Sequence, residues 1–496
     1  MQPDVIIVGS GMGGATLAAA IAPSGRNILI LERGEHLTPS AQDRDAAAIF
    51  ERGVFRPSET WLDGGNKPFS PGNYYNVGGN SKFYGAALIR YRAADFDVVT
   101  HAGGPTPGWP ITYDDLEADY QAAEKLYAVR GTADEDPTEP AHSGEYAFAP
   151  VPDETAMAAL RTRLNAAGLN PSSIPLGLDV DRWLAAGQTT WDAYPNTCGD
   201  KMDAETCGLA TALAHPNVEL RTGTRVLRLD AMGDLVSGVV IRCGNKEETL
   251  TAPIIVVAAG AVQTAAILLA SVNDNWPTGL ANSSNQVGRN FMNHNCSAVL
   301  ALHPMRRNRS IYQKTLMLND FYLGSKAQPP LGNVQMLGKI TGPILAANAR
   351  LPLWLANQIA ARSFDFYAMS EDLPNPDSRV TLIDGQIKLD WQRSNWDTHL
   401  QLVTKLKQTL RKIGFPIVIS KPFDRRTPSH QCGTARMGAD PKASVVDTFC
   451  RCHDHKNLFI VDASVLPTSA AVNPALTIAA LALRAGRHIM ETEMAA

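Results

Sequence analysis

His430 and Asn473 are the two side chains whose types and settings point to proton chemistry. His430 opens a glycine-punctuated stretch, His430-Gln431-Cys432-Gly433-Thr434-Ala435-Arg436-Met437-Gly438. An imidazole with an ordinary pKa of about 6.5 accepts a proton from an alcohol at neutral pH. A lone histidine is more often structural than catalytic, so its context carries the reading. Asn473-Pro474 heads an alanine-rich run that reads as a helix over residues 475 to about 489. Asn is a good N-cap and Pro fits the first helical position. Asn473 therefore reads either as a plain cap or as an amide turned toward a substrate oxygen. In both readings the helix offers its positive dipole end to whatever lies before it.

A second constellation binds rather than reacts. Gly9-Ser10-Gly11-Met12-Gly13-Gly14 puts Gly9, Gly11 and Gly14 at the three positions of G-x-G-x-x-G. Gly9 allows a tight turn, Gly11 lets the backbone approach a pyrophosphate, and Gly14 lets helix and strand pack closely. The free N–H groups of the following helix suit the phosphates. Glu32 can accept hydrogen bonds from an adenosine ribose and would repel a 2′-phosphate. The motif by itself does not separate FAD from NAD.

The elements that must position these residues follow from periodicity. Asp4-Val5-Ile6-Ile7-Val8 is a short apolar, β-branched run, as a buried parallel strand should be. An alanine-rich helix over residues 15 to about 22 and a second strand over 27–31 complete a β-α-β unit ending at Glu32. Val77-Gly78-Gly79-Asn80-Ser81, then Tyr84-Gly85, suits either a loop whose backbone meets a ligand or an ordinary tight turn. Residues 217–230 read as two strands around Thr222-Gly223, and residues 254–257 as another, all extending the nucleotide sheet. From about 300 to 425 the βα alternation gives way to strand-like runs (380–383, 386–389) and amphipathic helices, one over 395–412. That region reads as a second domain with an antiparallel sheet. The apolar stretch 351–361 reads as a buried helix, with an entry or membrane-surface patch as the alternative. The fold class is α/β (α+β overall). A discontinuous Rossmann-like nucleotide domain (1–130, 195–298, 426–496) is joined to a substrate domain and lid (131–194, 299–425) with an antiparallel sheet flanked by helices.

Composition narrows the classes further. A chain of 496 residues with 45% hydrophobic and 19% charged residues is globular and large enough for several domains. A net charge of −4 argues against a nucleic-acid partner. The seven cysteines are scattered and odd in number, which gives no disulfide framework and fits a reducing cytoplasm. The most hydrophobic window, 254–272, holds Gly260, Gln263 and Thr264 and divides into strand, turn and helix, so no transmembrane segment is expected. Cys450 and Cys452 with His453 and His455 fit no zinc spacing, so no metal is expected.

Together these pieces resemble the glucose–methanol–choline (GMC) oxidoreductases over essentially the whole chain. The motifs are the Gly9–Gly14 fingerprint with Glu32, the Gly78-Gly79-Asn80-Ser81 stretch and Gly108-Trp109-Pro110. Three more are Val287-Gly288-Arg289-Asn290-Phe291-Met292-Asn293-His294, Pro374-Asn375-Pro376-Asp377-Ser378-Arg379-Val380, and the His430…Asp462-Ala463-Ser464…Asn473-Pro474 block. The resemblance implies bound FAD and oxidation of an alcohol by hydride transfer to flavin N5. It makes His430 the general base and Asn473 the second active-site position. It puts Asp462 and Ala463 on the ribityl chain and pyrophosphate, Val226 on the adenine, Gly79, Asn80 and Ser81 in the flavin loop, and Pro474 near the flavin ring. That loop carries no His here, so the FAD is expected to be non-covalent. Tyr84 stands where many members carry Asn. The expected substrate is a sugar, polyol or glycoside, with O₂, a quinone or another acceptor taking the electrons. The alternatives are an aromatic or aliphatic primary alcohol, or a non-redox hydroxynitrile lyase on the same fold.

Overall fold

The computed structural model describes residues 2–186, 192–325, 328–424, 427 and 430–494. The expected domain boundary at residue 426 falls outside them. Apolar β-branched runs need cover on both faces, and four of them form the core of a five-stranded parallel sheet. Its order is Leu458–Ile460, Ile254–Val257, Val5–Val8, Ile28–Leu31, Val218–Arg221. Val5 faces Ile254 on one side and Ile28 on the other. The helix Met12–Ile21 leaves the first strand and packs on the long C-terminal helix Ala475–Thr492. In such a sheet ligands bind outside the carboxyl ends of the strands, where the chain order reverses.

Only the first of the two strands read around Thr222-Gly223 joins this sheet. The second, Thr224–Met232, begins a separate antiparallel meander with Leu235–Cys243 and Lys246–Leu250. Gly223, at a φ of +58°, makes the turn between the two.

A second, six-stranded sheet is antiparallel. Its order is Ile417–Pro422, Asn295–Leu302, Ser363–Ser370, Asn333–Met336, Leu316–Leu318, Pro171–Ser173. The helices Thr155–Ala166 and Trp396–Lys412 cover one face, where Val334 and Met336 join Leu160, Leu402 and Leu406 in a shared core. Side chains alternate along a strand, so Asn333 and Gln335 point to the opposite face, toward the site described below.

Two expectations are corrected. The hairpin Arg379–Ile383 and Gln386–Asp390 lies outside the six-stranded sheet. It pairs with Trp61–Asp63 in a small four-stranded sheet of its own. The apolar stretch 351–361 does form a helix, Leu353–Ala360, but it is not buried: Leu353 is 52% and Trp354 69% exposed. Its contact face is narrow, with Ala356 and Ala360 as the buried positions. Among the described residues no helix is long and apolar enough to cross a membrane.

Candidate active site

A cavity of about 420 Å³ lies at the carboxyl ends of the central parallel strands. Gly9 and Gly11 form one wall of it, and Gly9 turns the chain at a φ of +103°. A Cβ on Gly9 would sit 2.4 Å from the Ala258 carbonyl oxygen, and one on Gly14 2.0 Å from that of Gly9. Gly14 is thus a packing position behind the wall. Gly13, which the motif leaves open, is equally constrained: its Cβ would meet the Val461 oxygen at 1.8 Å. Gly11 differs, because a Cβ there meets nothing within 4 Å. Gly79 lies against it, its Cβ position 3.5 Å from Gly11 Cα.

The acids expected here line the cavity and also organise its loops. Glu32 accepts from Ser10 N–H, Ser10 Oγ and Gly34 N–H at 3.1, 2.7 and 2.9 Å. A carboxylate has about four acceptor positions, so one remains for a ligand hydroxyl. Asp462 accepts from Thr264 Oγ1, Gly260 N–H and Ser464 N–H at 2.6, 2.9 and 2.7 Å. Burial pushes both carboxyls up from their ordinary values. Val226, Asn80, Ser81, Ala463 and Pro474 line the same cavity. Asn80 Oδ1 accepts from Tyr74 N–H at 2.9 Å, and Ser81 Oγ donates to the Gly78 carbonyl at 2.6 Å. Tyr84 also lines the cavity, and its hydroxyl donates to the Met202 carbonyl at 2.5 Å.

His430 and Asn473 meet in this cavity, with Asn473 Nδ2 3.2 Å from His430 Nε2. The protons of the pair follow from a third residue. His294 Nε2 lies 2.8 and 2.9 Å from the carbonyl oxygens of Ser469 and Ala470, so that nitrogen carries the hydrogen. Ala470 takes a left-handed φ of +51°, which turns two successive carbonyls onto one nitrogen. Burial holds the His294 pKa below its ordinary value, so its Nδ1 is bare. His430 Nδ1, 2.7 Å away, must then be the donor. The remaining nitrogen of His430, Nε2, is left as a base facing the amide of Asn473. That amide is fixed in turn, since Gln335 Nε2 donates to Asn473 Oδ1 at 2.9 Å. Burial first, then His294 and Lys314, hold the His430 pKa well below the usual imidazole value, which keeps it neutral. His430 itself sits at a φ of +65°, and strained backbone of this kind collects at functional sites.

The expected cap at Asn473 is corrected. The helix starts at Ala475, Pro474 holds the cap position, and Asn473 makes no capping bond because His430 and Gln335 take its amide. The helix N-terminus does face the cavity, through Pro474 and Ala475. His294 closes one of the motifs that carry the family resemblance but was given no role there, and Gln335 was not singled out from the sequence. Cys450 and Cys452 are buried in the main core, and burial pushes both thiols up. Among the described residues no three His, Cys, Asp or Glu side chains gather as a cation site.

Residues 156–296 and 375–482 match two family models, each described as GMC oxidoreductase, and residues 7–67 match an NAD(P)-binding Rossmann-like domain. The chain is 31% identical to the 6'''-hydroxyparomomycin C oxidase of Streptomyces lividus and 30% identical to the paromamine 6'-oxidase of Streptomyces fradiae. Each alignment covers 98% of this chain and 91% of the relative. Among solved structures, the pyridoxine 4-oxidase from Mesorbium loti superposes with a TM-score of 0.68 over 99% of both chains at 19% identity, a likeness of fold.

Proposed function

The chain belongs to the GMC oxidoreductase family, FAD-dependent enzymes that oxidise alcohols, and from that premise we propose that it oxidises a sugar, polyol or glycoside with His430 as base. The residues present fit the cofactor. The bare backbone of Gly11 opens onto the cavity, while the glycines around it are closed by protein atoms. Two helix N-termini border the same space, at Met12 and at Ala475, and both favour negative charge. Residues 1–130, 195–298 and 426–496 carry FAD binding in this reading, and 131–194 and 299–425 carry substrate selection. The flavin loop holds no His, which supports non-covalent FAD.

When bound, FAD supplies the acceptor for the hydride leaving the carbinol carbon. The substrate hydroxyl takes the place of the long contact between His430 and Asn473. His430 Nε2 accepts the hydroxyl proton, while Nδ1–H stays on the His294 nitrogen. Asn473 Nδ2 donates to the substrate oxygen and holds it in line. Proton removal by a positioned base is worth about 10²–10⁴-fold, and orientation adds to it. The carrying observation is the hydrogen-bond chain from Ser469 and Ala470 through His294 to a bare His430 Nε2. The two oxidases acting on paromamine and hydroxyparomomycin support a sugar-like substrate. The test is an anaerobic visible spectrum of the holoenzyme before and after sugars, glycosides and simple alcohols are added. Bleaching by a polyhydroxylated alcohol is expected. A flavin that no alcohol bleaches overturns the reading.

A further inference from the structure

The exposed helix Leu353–Ala360 is the second arm of a hairpin whose first arm is Gly342–Ala349. Arg350 turns the chain between them at a φ of +53°. The inward side of the hairpin is covered: Leu345 and Ile359 pack with Ile340 on Ala298, Leu300 and Leu302 of the six-stranded sheet. The outward side is not. Residues four apart share a helix face, so Trp354, Gln358 and Arg362 lie on one stripe. The Arg362 guanidinium donates to the Gln358 carbonyl and Oε1 at 3.0 and 2.7 Å, which fixes that alignment, and to the Pro304 carbonyl at 2.9 Å. Asn308 N–H donates to the Ala361 carbonyl at 2.9 Å and ties the loop 303–309 to the same helix end. The stripe therefore continues from the helix onto Met305, which is 88% exposed. The helix contributes about 12 Å of its length, at 1.5 Å per residue.

Charge surrounds this stripe and has one sign. Residues 301–364 hold eight Lys or Arg and one acid, in a chain where 49 acids outnumber 45 bases. That acid, Asp320, is taken up by Asn170, whose N–H and Nδ2 donate to it at 3.0 and 2.8 Å. Glu154 reaches the far end of the loop and accepts from Ile311 and Tyr312 N–H at 2.8 and 2.9 Å. Arg306, Arg307 and Arg309 follow Met305 and are exposed, and exposed Arg350 precedes Leu353. Among the described residues none of these four has a carboxylate partner. Burial first, and then the charge of Arg306, lower the pKa of Arg163, so a further cation stands beside them. Lys421 joins from the neighbouring strand, its Nζ donating to the Asn348 carbonyl at 2.6 Å.

Uncovered Trp and Leu flanked by unpaired arginines have the chemistry of the boundary between lipid headgroups and acyl chains, where Trp rests at headgroup level and Arg meets phosphate. A protein partner matches less well. A stable protein contact covers about 800 Å² a side and is depleted of charge at its centre, whereas these apolar side chains are few and have arginines at both ends. We propose that the hairpin 342–360 and the loop 303–309 dock on the surface of an anionic lipid bilayer. Leu353, Trp354 and Met305 enter the headgroup layer, and Arg306, Arg307 and Arg350 contact lipid phosphates. An eight-residue helix is far below the roughly 20 residues of a membrane span, so the attachment is peripheral and reversed by salt. This inference goes beyond alcohol oxidation and does not depend on it.

The test pellets FAD-loaded holoenzyme with vesicles of phosphatidylcholine, alone or with about 30% phosphatidylglycerol, in about 0.05 M and 0.5 M NaCl. Wild type is expected to pellet with the anionic vesicles at low salt, to leave them at high salt, and to ignore phosphatidylcholine alone. Arg306→Gln/Arg307→Gln is expected to weaken partitioning about 20-fold, near five-fold per charge. Trp354→Ser is expected to weaken it about ten-fold. Lys125→Gln/Lys246→Gln, at two exposed lysines elsewhere, is expected to change it little. All of these side chains are exposed, so melting temperature and flavin spectrum should stay as in wild type. A wild type that remains in the supernatant with anionic vesicles at low salt overturns the proposal. So does an arginine or tryptophan variant that pellets like wild type, or a lysine control that falls as far as the arginine variant. Sedimentation velocity without lipid covers the other occupant: a wild type that self-associates beside a monomeric Trp354→Ser gives this face to a second copy of the chain and overturns docking on lipid. Flavin bleaching by alcohols is read separately, so failure here leaves the alcohol-oxidation reading standing.

Discussion

Replacing His294 tests the assignment of the base most directly, because His294 touches neither the substrate oxygen nor the reacting carbon in the scheme above. In His294→Leu the Nδ1–H of His430 loses its acceptor inside a closed site. A buried donor left unpaired costs about 1–3 kcal/mol. His430 can relieve that cost by turning its ring or by moving the proton to Nε2, and either change removes the lone pair from the substrate. At about 1.4 kcal/mol per factor of ten, the rate of flavin bleaching by a saturating alcohol should fall roughly 5- to 150-fold. His430→Ala sets the ceiling, a loss of about 10²–10⁴-fold. Glutamine offers a donor for the Ser469 and Ala470 carbonyls and an acceptor for His430, so His294→Gln should recover most of the rate. Anaerobic stopped-flow absorbance at pH 8 reads all three, with melting curves to confirm folding. Burial is the first cause of the low His430 pKa, so the acid limb of the pH–rate profile should lie well below 6.5 in wild type. A folded Leu variant with the wild-type rate, or a Gln variant as slow as the Leu variant, would refute the tautomer argument.

Gly11→Ala should leave the melting temperature of the apoprotein unchanged and weaken FAD retention, because its Cβ meets only cavity. Gly13→Ala should instead destabilise the apoprotein, since its Cβ would strike the Val461 oxygen at 1.8 Å; denaturation with and without FAD separates the two. Gln335→Leu frees the Asn473 amide to rotate, and kcat/KM should fall about 3- to 10-fold, one neutral hydrogen bond, in steady-state assays with the best substrate. Asp95 has a pKa pushed up to about 7 by burial and then by Glu371. From its ordinary 3.8 up to about 7 the native state keeps a proton that the unfolded chain has released, so this group lowers stability as pH rises across that window and has a constant effect above it. In calorimetry, the gain in melting temperature of Asp95→Asn over wild type should grow from pH 4 to 7 and then level off.

What the sequence made legible was local. The glycine fingerprint, the short strands around it and Glu32 lie within one β-α-β unit, where spacing and geometry are nearly the same information. His430 and Asn473 stood out by their glycine and proline neighbours. Of the two readings of Asn473, the plain cap gave way because a side chain that can cap locally was taken by tertiary partners, and local rules do not register such competition. The exposed helix at 353–360 failed for a related reason: apolar composition says that cover is favourable, not that the fold supplies it.

The groups that set the chemistry of His430 are separated from their partners by great lengths of chain. His294 and His430 are 136 residues apart, Gln335 and Asn473 138, and Lys314 and Asp192 122. One signal for them was nevertheless present. Asn333-Val334-Gln335-Met336 alternates amide and apolar residues, the pattern of a strand with one face in a core. Two amides on the other face of a buried strand cost several kcal/mol unless each finds a partner, about 2–7 kcal/mol apiece. The segment therefore announced a polar network before its members could be named. Asn333 does bond Asn319, and Gln335 bonds both Asn333 and Asn473. The same reasoning applies to Lys314, a lone ammonium just before a strand whose burial pattern is uniform. Buried polarity of this kind requires a partner, so a polar residue at an apolar position is the point from which a site can be sought when spacing is silent.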